Sequence, residues 1–375
     1  GFYHMSGVTL PFGLLALTDR QEHADAFWRV VQPFRRLRAA GVDAQVCWLD
    51  ADEMPTRPVA GRIVVLQRVV VKGGEQASVR AWVDRLREAG ALAVVFEMDD
   101  DVISPAYLEY LEACGGLELV RRARLMEERQ ALEWAMQACD AVTVSTPPLA
   151  EVVRRYTSAP VHIVPNAIDA EWFAARLTRS PAWSDRLTIG WAGGRRPESD
   201  LEPMAVAWGR IARRYPDVRF VVAGWQPDCI YREVEDIDRI IRVPWADLDA
   251  WPRSMQVDIG CTPLADTPFN RCKSPIKAME YALAGAAVVA SPTVYADWLS
   301  AFAYDVVDRA YFAATATTPD EWERELAALI EDYPTVVNRA HMLAREVRRR
   351  YSLTNNLDRW VAAYAEIAHA VGAPA

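Results

Sequence analysis

Several features of secreted, metal-binding and membrane proteins are missing from this chain of 375 residues. Its six cysteines lie far apart, with no Cys-x-x-Cys pair and no Cys/His cluster at zinc spacing, so neither a disulfide framework nor a structural metal is predicted. No run approaches the roughly 20 apolar residues that cross a bilayer, and the N-terminus lacks the charged-then-apolar order of a signal peptide. These absences are best explained by a cytoplasmic protein whose cysteines are reduced. We expect the native chain to start at Met5.

Some catalytic signatures are absent as well. The sequence has no Gly-x-Ser-x-Gly elbow, no zinc-protease motif and no phosphate loop ending in Gly-Lys-Ser/Thr, which excludes hydrolase, metalloprotease and ordinary ATPase readings. The histidines show no partner pattern, and His162 lies in an apolar run as a predicted core residue. The net charge of -9 argues against general nucleic-acid binding, and the short arginine runs are typical of solvated helix faces.

Short apolar runs alternate with amphipathic segments, which is the pattern of a parallel sheet covered by helices on both faces. The first series of predicted strands lies at 14–17, 44–49, 63–71, 92–96, 141–144 and 161–164, with a helical insert at 105–138. The pattern breaks at 166–186 and restarts with strands at 187–191, 218–223, 239–243, 257–261 and 287–290. We predict an α/β protein with two doubly wound, Rossmann-like domains (1–170 and 187–350), a linker (171–186) and a final helix (351–375) that crosses back to the first domain.

The block at 270–291 carries the strongest functional signal. It combines a cationic loop, a helix with Ser274 as N-cap and Pro275 at its first position, a glycine stop and a buried strand. The helix N-terminus and Lys273 together predict a phosphate site. Glu280, further along this helix, could accept hydrogen bonds from the ribose of a nucleotide whose diphosphate lies at the helix start. The alternative is a capped core helix with solvated Lys and Glu side chains.

Glycines and arginines end the first predicted strand of the second domain, in the run Gly190-Trp191-Ala192-Gly193-Gly194-Arg195-Arg196. Open α/β sheets bind ligands at this edge, and glycines there let the backbone approach a phosphate. Arg195 or Arg196 could bond to a diphosphate, each contributing roughly 1.5 to 3 kcal/mol. The alternative is an ordinary turn. The next two strands end on the same edge, at Gly224-Trp225 and Val243-Pro244-Trp245, where the tryptophans could pack on a base or close a core.

An acidic cluster, Glu97-Met98-Asp99-Asp100-Asp101, ends a strand of the first domain and is expected to face the opposite wall of the cleft. Three roles compete for it. Asp99 and Asp101 could hold a divalent metal, the carboxylates could orient or deprotonate a hydroxyl nucleophile, or they could cap the following segment. Like charges this close would raise at least one pKa, which suits a base.

These motifs resemble those of the retaining, nucleotide-sugar-dependent glycosyltransferases of the GT-B fold, and of their large family four (glycosyl transferases group 1) in particular. The resemblance rests on the segments 140–146, 164–169, 190–194 and 273–291, and the run Asn-Arg-x-Lys-Ser-x-x-Lys-x-x-Glu-Tyr is similar to one branch of that family. In such enzymes the second domain binds the nucleotide diphosphate and the first shapes the acceptor site. The family commonly carries two glutamates eight positions apart. Glu280 matches the second, which usually binds ribose, whereas Cys272 stands at the first.

The resemblance implies sugar transfer, with retention and without a metal or other cofactor, from a nucleotide diphosphate donor to a hydroxyl of a saccharide or glycolipid. Arg195, Lys273 and the helix start at Ser274 would stabilise the leaving diphosphate, while Asp99, Asp100 or Asp101 would act on the acceptor. The predicted donor-binding residues are Gly193, Gly194, Arg196, Gly224, Val243, Pro244, Asn270, Ser274, Pro275, Lys277 and Glu280.

Two other functions stay open from the sequence. Cys272 and the weak opening loop Pro11-Phe12-Gly13 leave room for a catalytically silent module that binds a nucleotide or a partner. Transfer onto a nucleic-acid base can use the same architecture, although the acidic balance counts against it. We expect a cytoplasmic protein, and contact with the inner face of the membrane is left open.

Overall fold

Two parallel six-stranded sheets organise the computed structural model, which describes residues 10–20, 23–49, 54–68, 75–302 and 313–373. The strands of the first sheet are β1 (Gly13–Thr18), β2 (Ala44–Trp48), β3 (Arg62–Gln67), β4 (Ala93–Met98), β5 (Ala141–Val144) and β6 (Val161–Ile163). Those of the second are β7 (Thr188–Gly193), β8 (Arg219–Gly224), β9 (Ile240–Val243), β10 (Ile259–Thr262), β11 (Ala287–Ala290) and β12 (Ala313–Thr315). The predicted α/β architecture with two such domains is confirmed. The predicted strand 63–71 extends to positions that lie outside the described residues.

Helices cover both faces of each sheet, which is why most strands are apolar throughout. They are α1 (Ala24–Ala26), α2 (Gln32–Ala39), α3 (Gln76–Glu88), α4 (Pro105–Ala113), α5 (Leu119–Ala138), α6 (Pro147–Val153), α7 (Ala170–Ala174), α8 (Glu202–Arg214), α9 (Asp228–Glu233), α10 (Trp251–Ser254), α11 (Pro268–Arg271), α12 (Ile276–Leu283), α13 (Pro292–Ser300), α14 (Pro319–Glu331), α15 (Tyr333–Tyr351) and α16 (Leu357–Ala370). A π-helical segment, Phe27–Val31, joins α1 to α2. None of the helices formed by the described residues has the length and apolarity needed to span a bilayer.

The strand order creates a switch point in each sheet. The first sheet runs β2-β1-β3-β4-β5-β6 and the second runs β12-β11-β10-β7-β8-β9. In open α/β sheets a crevice forms at the carboxyl ends of the strands where the order reverses, here between β1 and β3 and between β7 and β10. We call the bodies built on these sheets the N-terminal and C-terminal domains.

The last helix returns to the N-terminal domain, as the sequence predicted. Trp360, Tyr364 and Ile367 of α16 are buried in the same apolar cluster as Leu14 and Ile63 of the first sheet. Burial of large apolar side chains is the main source of stability in such a contact, so the chain end holds the two domains together.

One glycine sets the position of α12, the helix that carries Lys277 and Glu280. Gly260 lies in β10, and a Cβ atom added there would come within 2.4 Å of the ring of Tyr281. A larger residue would therefore push α12 away from the sheet. The close packing fixes the helix against β10.

Candidate active site

A cavity of about 630 Å³ lies between the two domains at the carboxyl ends of their strands. The wall from the N-terminal domain includes His23, Asp25, Trp28, Asp99 and Asp100. The wall from the C-terminal domain includes Gly193, Gly194, Arg196, Gly224, Trp225, Trp251, Thr262, Lys273, Ser274, Lys277, Glu280 and Tyr295. Several of these follow β7 and β10, so the cavity occupies the switch point of the second sheet.

Among the described residues of the C-terminal domain, three cations line this cavity. The chain has only three lysines, and two of them, Lys273 and Lys277, lie here beside Arg196. Lys273 Nζ lies 4.7 Å from the centre of the Phe269 ring, and Lys277 Nζ lies 4.8 Å from that of Trp251. Aromatic faces stabilise cations at such distances while leaving other directions of the ammonium group open to a ligand. The arrangement suits a multiply charged anion.

Glu280 is buried and forms an ion pair with half-buried Lys277 on one face of α12. Glu280 Oε1 lies 3.5 Å from Lys277 Nζ, and Glu280 Oε2 accepts a 2.7 Å hydrogen bond from the indole N–H of Trp251. Burial raises the pKa of Glu280 and lowers the pKa of Lys277, because each charged form loses hydration there. Sequence reasoning missed Trp251, whose role depends on a contact between distant segments.

Gly193 and Gly224 give the backbone of the C-terminal domain a tight fit beside the cavity. Gly224 has a φ of +85°, and a Cβ atom there would lie 2.4 Å from the carbonyl oxygen of Gly193. A Cβ on Gly193 would lie 2.8 Å from the Trp191 ring and 3.1 Å from an Arg196 nitrogen. Gly194, by contrast, faces open space. The first two glycines are therefore required by geometry and the third keeps room at the cavity wall.

The three aspartates after β4 have different environments. Asp99 and Asp100 line the cavity, and Asp100 Oδ1 lies 3.4 Å from Lys273 Nζ. Asp101 instead accepts hydrogen bonds from the backbone N–H groups of Ile103 and Ser104 and from the Ser104 hydroxyl. Asp101 thus caps the segment that follows and does not line the cavity. Its carboxylate is therefore not placed to hold a divalent metal together with Asp99, which was one of the three roles considered for the cluster. No cluster of three or more His, Cys, Asp or Glu side chains suited to a metal ion occurs in the described part of the chain.

Asp99 is the more unusual of the two cavity aspartates. It is half-buried with its Oδ1 shielded from solvent, and among the described residues no hydrogen-bond donor reaches that atom. Burial, helped by the charges of Asp100 and Asp25, raises the pKa of Asp99 well above its usual value of 3.8. A carboxyl group in this state can take up or release a proton at a pH where an exposed aspartate stays ionised.

The two arginines after β7 point in different directions. Arg196 lines the cavity, with its guanidinium 5.6 Å from the centre of the Trp191 ring. Arg195 Nη2 donates a 2.8 Å hydrogen bond to the carbonyl oxygen of Cys114, at the end of α4 in the N-terminal domain. Arg195, the expected diphosphate ligand, therefore bridges the domains in this structure. Side chains alternate between the two faces of a strand only as far as Gly193, where β7 ends. Beyond it, the backbone conformation of the loop determines where Arg195 and Arg196 point.

Other predicted donor-binding residues also lie away from the cavity. The Asn270 amide donates to Asp200 Oδ1 over 2.8 Å and holds the loop before α11. Val243 and Pro244 line a separate cavity of about 310 Å³, which shares Trp251 with the larger one. Their loop contributes Trp245 to the main cavity instead.

The start of α12 differs from the sequence prediction by one residue. The helix begins at Ile276, with Pro275 in the N-cap position and no side-chain cap. Ser274 does not cap the helix, because its hydroxyl accepts a 2.8 Å hydrogen bond from the Asn166 amide of the N-terminal domain. Asn166 Oδ1 in turn accepts from the buried Arg29 guanidinium over 3.0 Å. The loop that carries Lys273 and Ser274 is therefore tied to the core of the other domain.

Cys272 belongs to that same domain contact. Its side chain is buried in the apolar cluster of the N-terminal domain, and its carbonyl oxygen accepts a 2.8 Å hydrogen bond from Thr146. Burial raises the pKa of the thiol to about 12. The residue at the position of the family's first glutamate thus packs away from the cavity.

Two charged residues of the N-terminal domain were missed by the sequence reasoning. Asp25 lines the cavity, and its Oδ2 accepts from Arg68 Nη1 over 2.9 Å. Arg68 has a φ of +51°, an uncommon conformation for a residue with a side chain, which costs energy and often marks a functional site. Asp25 and Arg68 lie far apart in sequence, so only the fold brings them together beside Asp99.

Known proteins provide a comparison for this geometry. No protein-family model matches the chain. It is 30% identical over 168 residues to the putative teichuronic acid biosynthesis glycosyltransferase TuaH of Bacillus subtilis (strain 168), a match that covers 41% of this chain and 41% of TuaH. The chain thus matches about two fifths of that relative's length.

Solved structures match over nearly the whole chain. Sucrose-phosphate synthase from Thermosynechococcus elongatus is 13% identical with a TM-score of 0.59, covering 96% of this chain and 100% of that one. The Anabaena protein HepE, in complex with UDP and glucose, is 12% identical with a TM-score of 0.60, covering 95% and 100%. The S. aureus protein TarM is 10% identical with a TM-score of 0.53, covering 82% and 56%. The chain has the GT-B fold. Because their sequence identities are only 10–13%, these structures establish the fold and nothing about the activity.

Proposed function

We propose that the protein is a glycosyltransferase that moves a sugar from a nucleotide diphosphate donor to a hydroxyl acceptor. The observation that carries this proposal is the convergence of Arg196, Lys273 and Lys277 with buried Glu280 at the switch point of the second sheet. Two further facts support it: HepE, of the same fold, is described with UDP and glucose, and TuaH is named a putative glycosyltransferase.

In the proposed complex the C-terminal domain binds the donor. Arg196, Lys273 and Lys277 contact the diphosphate, where charge-assisted hydrogen bonds stabilise its negative charge. Glu280 accepts hydrogen bonds from the ribose hydroxyls, and the Trp251 indole fixes the orientation of its carboxylate. The glycines at 193, 194 and 224 keep the backbone close to the ligand.

Bond cleavage at the anomeric carbon leaves a nucleoside diphosphate, so the largest catalytic contribution comes from groups that stabilise that leaving group. Arg196 and Lys273 are already held in place by aromatic faces, and such preorganised charges act without the cost of reorganisation. These cations take the part that a metal plays in other transferases, and we propose that none is needed. Retention of configuration is proposed from the likeness to family four.

The acceptor approaches from the N-terminal domain in this mechanism. Asp99 and Asp100 face the donor site, and Asp99 takes or orients the proton of the attacking hydroxyl. We propose a saccharide or glycolipid as acceptor. Support comes from the TarM structure, which is described with α-GlcNAc-glycerol and UDP.

Nucleotide binding and product analysis test this function together. UDP, GDP, ADP and dTDP, each with EDTA, are compared for the rise in melting temperature, and the best donor sugar is then offered with saccharide acceptors. A selective rise in melting temperature and an α-linked product from an α-linked donor are expected. Binding without turnover on any donor would instead establish a silent module, and absence of any binding would overturn the proposal.

A further inference from the structure

Two motif segments of the N-terminal domain, 140–146 and 164–169, end neighbouring strands of the first sheet. β5 and β6 are parallel and paired with each other, so their carboxyl ends meet at the edge where the cavity lies. Thr146 follows the end of β5 by two residues, and Asn166 follows the end of β6 by three. Both side chains contact a loop of the C-terminal domain.

This loop, residues 272–275, joins α11 to α12 and carries Lys273, and we call it the Lys273 loop. Thr146 contacts its backbone, because the Thr146 hydroxyl donates a 2.8 Å hydrogen bond to the carbonyl oxygen of Cys272. The same hydroxyl accepts from the backbone N–H of Leu149 and so caps α6. The N-terminal domain therefore fixes this hydroxyl, and the hydroxyl in turn fixes the carbonyl that precedes Lys273.

The two residues after Cys272 also have partners in the N-terminal domain. Lys273 Nζ lies 3.4 Å from Asp100 Oδ1, and the Ser274 hydroxyl accepts a 2.8 Å hydrogen bond from the Asn166 amide. Three consecutive residues of the C-terminal domain are thus held by the opposite domain. The geometry of the Lys273 loop consequently depends on contact between the two domains.

Aromatic rings from both domains lie beside the Lys273 ammonium group. Phe269 of α11 stacks on Tyr110 of α4, with 4.0 Å between the ring centres and 27° between the ring planes. Lys273 Nζ lies 4.7 Å from the centre of the Phe269 ring and 5.8 Å from that of the Tyr110 ring. Tyr110 therefore supports the ring that stabilises Lys273 and offers the cation a second ring.

We propose that Thr146 and Tyr110 are positioning residues, which hold the Lys273 loop from the opposite domain in the geometry that binds a diphosphate. Both lie outside the set of residues that line the cavity, so they act through Lys273 and not on the ligand itself. A loop that is already held in place loses less conformational freedom when an anion binds, which favours binding. The inference rests on the proposed role of Lys273 in binding the diphosphate.

Inorganic pyrophosphate, with EDTA present, is the probe, because it separates binding of a diphosphate from sugar transfer. Isothermal titration calorimetry of the full chain measures its Kd. Thr146→Val keeps the shape of the side chain but loses the hydroxyl, so it should weaken binding about fivefold to tenfold, the loss expected for one hydrogen bond. Thr146→Ser keeps the hydroxyl and should bind pyrophosphate as wild type does.

The same titration tests the aromatic contact. Tyr110→Ala removes a ring from the stack and should weaken pyrophosphate binding about threefold to tenfold, the contribution of an aromatic pair. Tyr110→Phe keeps the ring and should restore the wild-type Kd.

Thr318→Val provides a matched control for Thr146→Val. Thr318 is also an N-cap threonine, and its hydroxyl accepts a hydrogen bond from the backbone N–H of Glu321 at the start of α14. Thr318→Val should lower the melting temperature, as the loss of a cap does, and leave the Kd for pyrophosphate unchanged.

A double variant distinguishes positioning of Lys273 from a general loss of structure. Lys273→Ala alone should weaken pyrophosphate binding at least about tenfold. Adding Thr146→Val to Lys273→Ala should weaken binding less than about twofold further, because the cation that Thr146 positions is gone. An equal effect of Thr146→Val with and without Lys273 would overturn the inference. Unchanged binding in Thr146→Val and Tyr110→Ala would overturn it too, as would no binding of pyrophosphate by wild type.

Failure of the proposed function would give a different result. If wild type binds pyrophosphate, the variants behave as expected and no donor sugar is transferred, the transferase function is wrong and the role of the Lys273 loop stands. If wild type transfers sugar while Thr146→Val and Tyr110→Ala bind pyrophosphate as wild type does, the positioning role is wrong and the function stands.

Discussion

Lys273 of the C-terminal domain faces Asp100 of the N-terminal domain across the cleft, with 3.4 Å between Nζ and Oδ1. The ion pair joins the proposed phosphate loop to the proposed acceptor wall. In the mechanism above, a bound diphosphate attracts Lys273 and leaves Asp100 free to contact the acceptor. Through this ion pair, binding of the donor would change which partners are open to Asp100 on the acceptor side.

Removing a cavity cation should slow the reaction far more than removing its neighbour outside the cavity. Lys273→Ala and Arg196→Ala should each lower kcat by at least about 100-fold, because leaving-group charge loses a preorganised partner. Arg195→Ala, the matched control, should lower kcat less than about tenfold, because its guanidinium contacts the Cys114 carbonyl. Steady-state kinetics on the preferred donor would measure the three variants. A larger effect at Arg195 than at Arg196 would contradict the assignment.

Asp99 should give the transfer reaction an acidic limb. Because its pKa is raised above the usual 3.8, transfer to the acceptor should decline with falling pH sooner than for an exposed aspartate. Asp99→Asn should abolish that limb and lower transfer at least about 100-fold, while donor hydrolysis without acceptor changes less. A pH profile of kcat/KM for the acceptor checks this. An unchanged profile in the Asp99→Asn variant would exclude the role.

The same carboxyl group should make the protein less stable at neutral pH. With a folded-state pKa above the unfolded value, the folded protein binds more protons than the unfolded chain between those values, so stability falls as pH rises through that window. Asp99→Asn should therefore raise the melting temperature near neutral pH and lose this advantage below pH 3.8. Thermal unfolding of wild type and Asp99→Asn near neutral pH and below pH 3.8 measures this change in melting temperature. The same difference in melting temperature at both pH values would refute the explanation.

Glu280 should act in binding the ribose and only weakly in the chemical step. Glu280→Gln should raise the donor KM by about 10- to 100-fold with little change in kcat, the loss expected for a hydrogen bond to a charged group. A donor without ribose 2′ and 3′ hydroxyls serves as the control, since its KM should be the same for wild type and variant. If the variant discriminates against the deoxy donor as strongly as wild type does, Glu280 does not contact the ribose.

Cys272 stands where the related family has its first glutamate, but in this fold its side chain is buried in an apolar cluster away from the cavity. Cys272→Glu should lower the free energy of unfolding by about 3 kcal/mol or more, because it buries a carboxylate in an apolar cluster near Asp100 and Asp101. Cys272→Ala, which only removes the thiol, should cost about 1 kcal/mol. Urea unfolding gives both values. A stable Cys272→Glu variant with faster turnover would mean that this side chain reaches the donor.

Much of the fold could be predicted because buried parallel strands are apolar throughout. Runs such as those of β4 and β8 could be identified from their composition and their alternation with helices. The strand β12 (Ala313–Thr315) could not be predicted, because its sequence Ala-Ala-Thr lacks the large apolar side chains that indicate the equally short β6, Val161–Ile163. The π-helical segment at Phe27–Val31 also has no sequence signal distinct from an ordinary helix.

The candidate site divides in the same way. Lys273, Lys277 and Glu280 follow from one local motif, in which Lys273 precedes α12 and the helix holds Lys277 and Glu280 on a shared face. The choice between Arg195 and Arg196 could not be predicted, because beyond the end of a strand the loop backbone sets each side-chain direction. Trp251 reaches Glu280 through a contact between separate segments, so only tertiary packing reveals it.

The most direct test of the proposed function is nucleotide release from a panel of UDP-, GDP-, ADP- and dTDP-sugars in the presence of EDTA, without acceptor. Wild type should slowly release the nucleoside diphosphate from one donor class, and Lys273→Ala should release at least about 100-fold less. Release at the wild-type rate by Lys273→Ala, or release only when a divalent metal is supplied, would contradict catalysis by the protein's own cations.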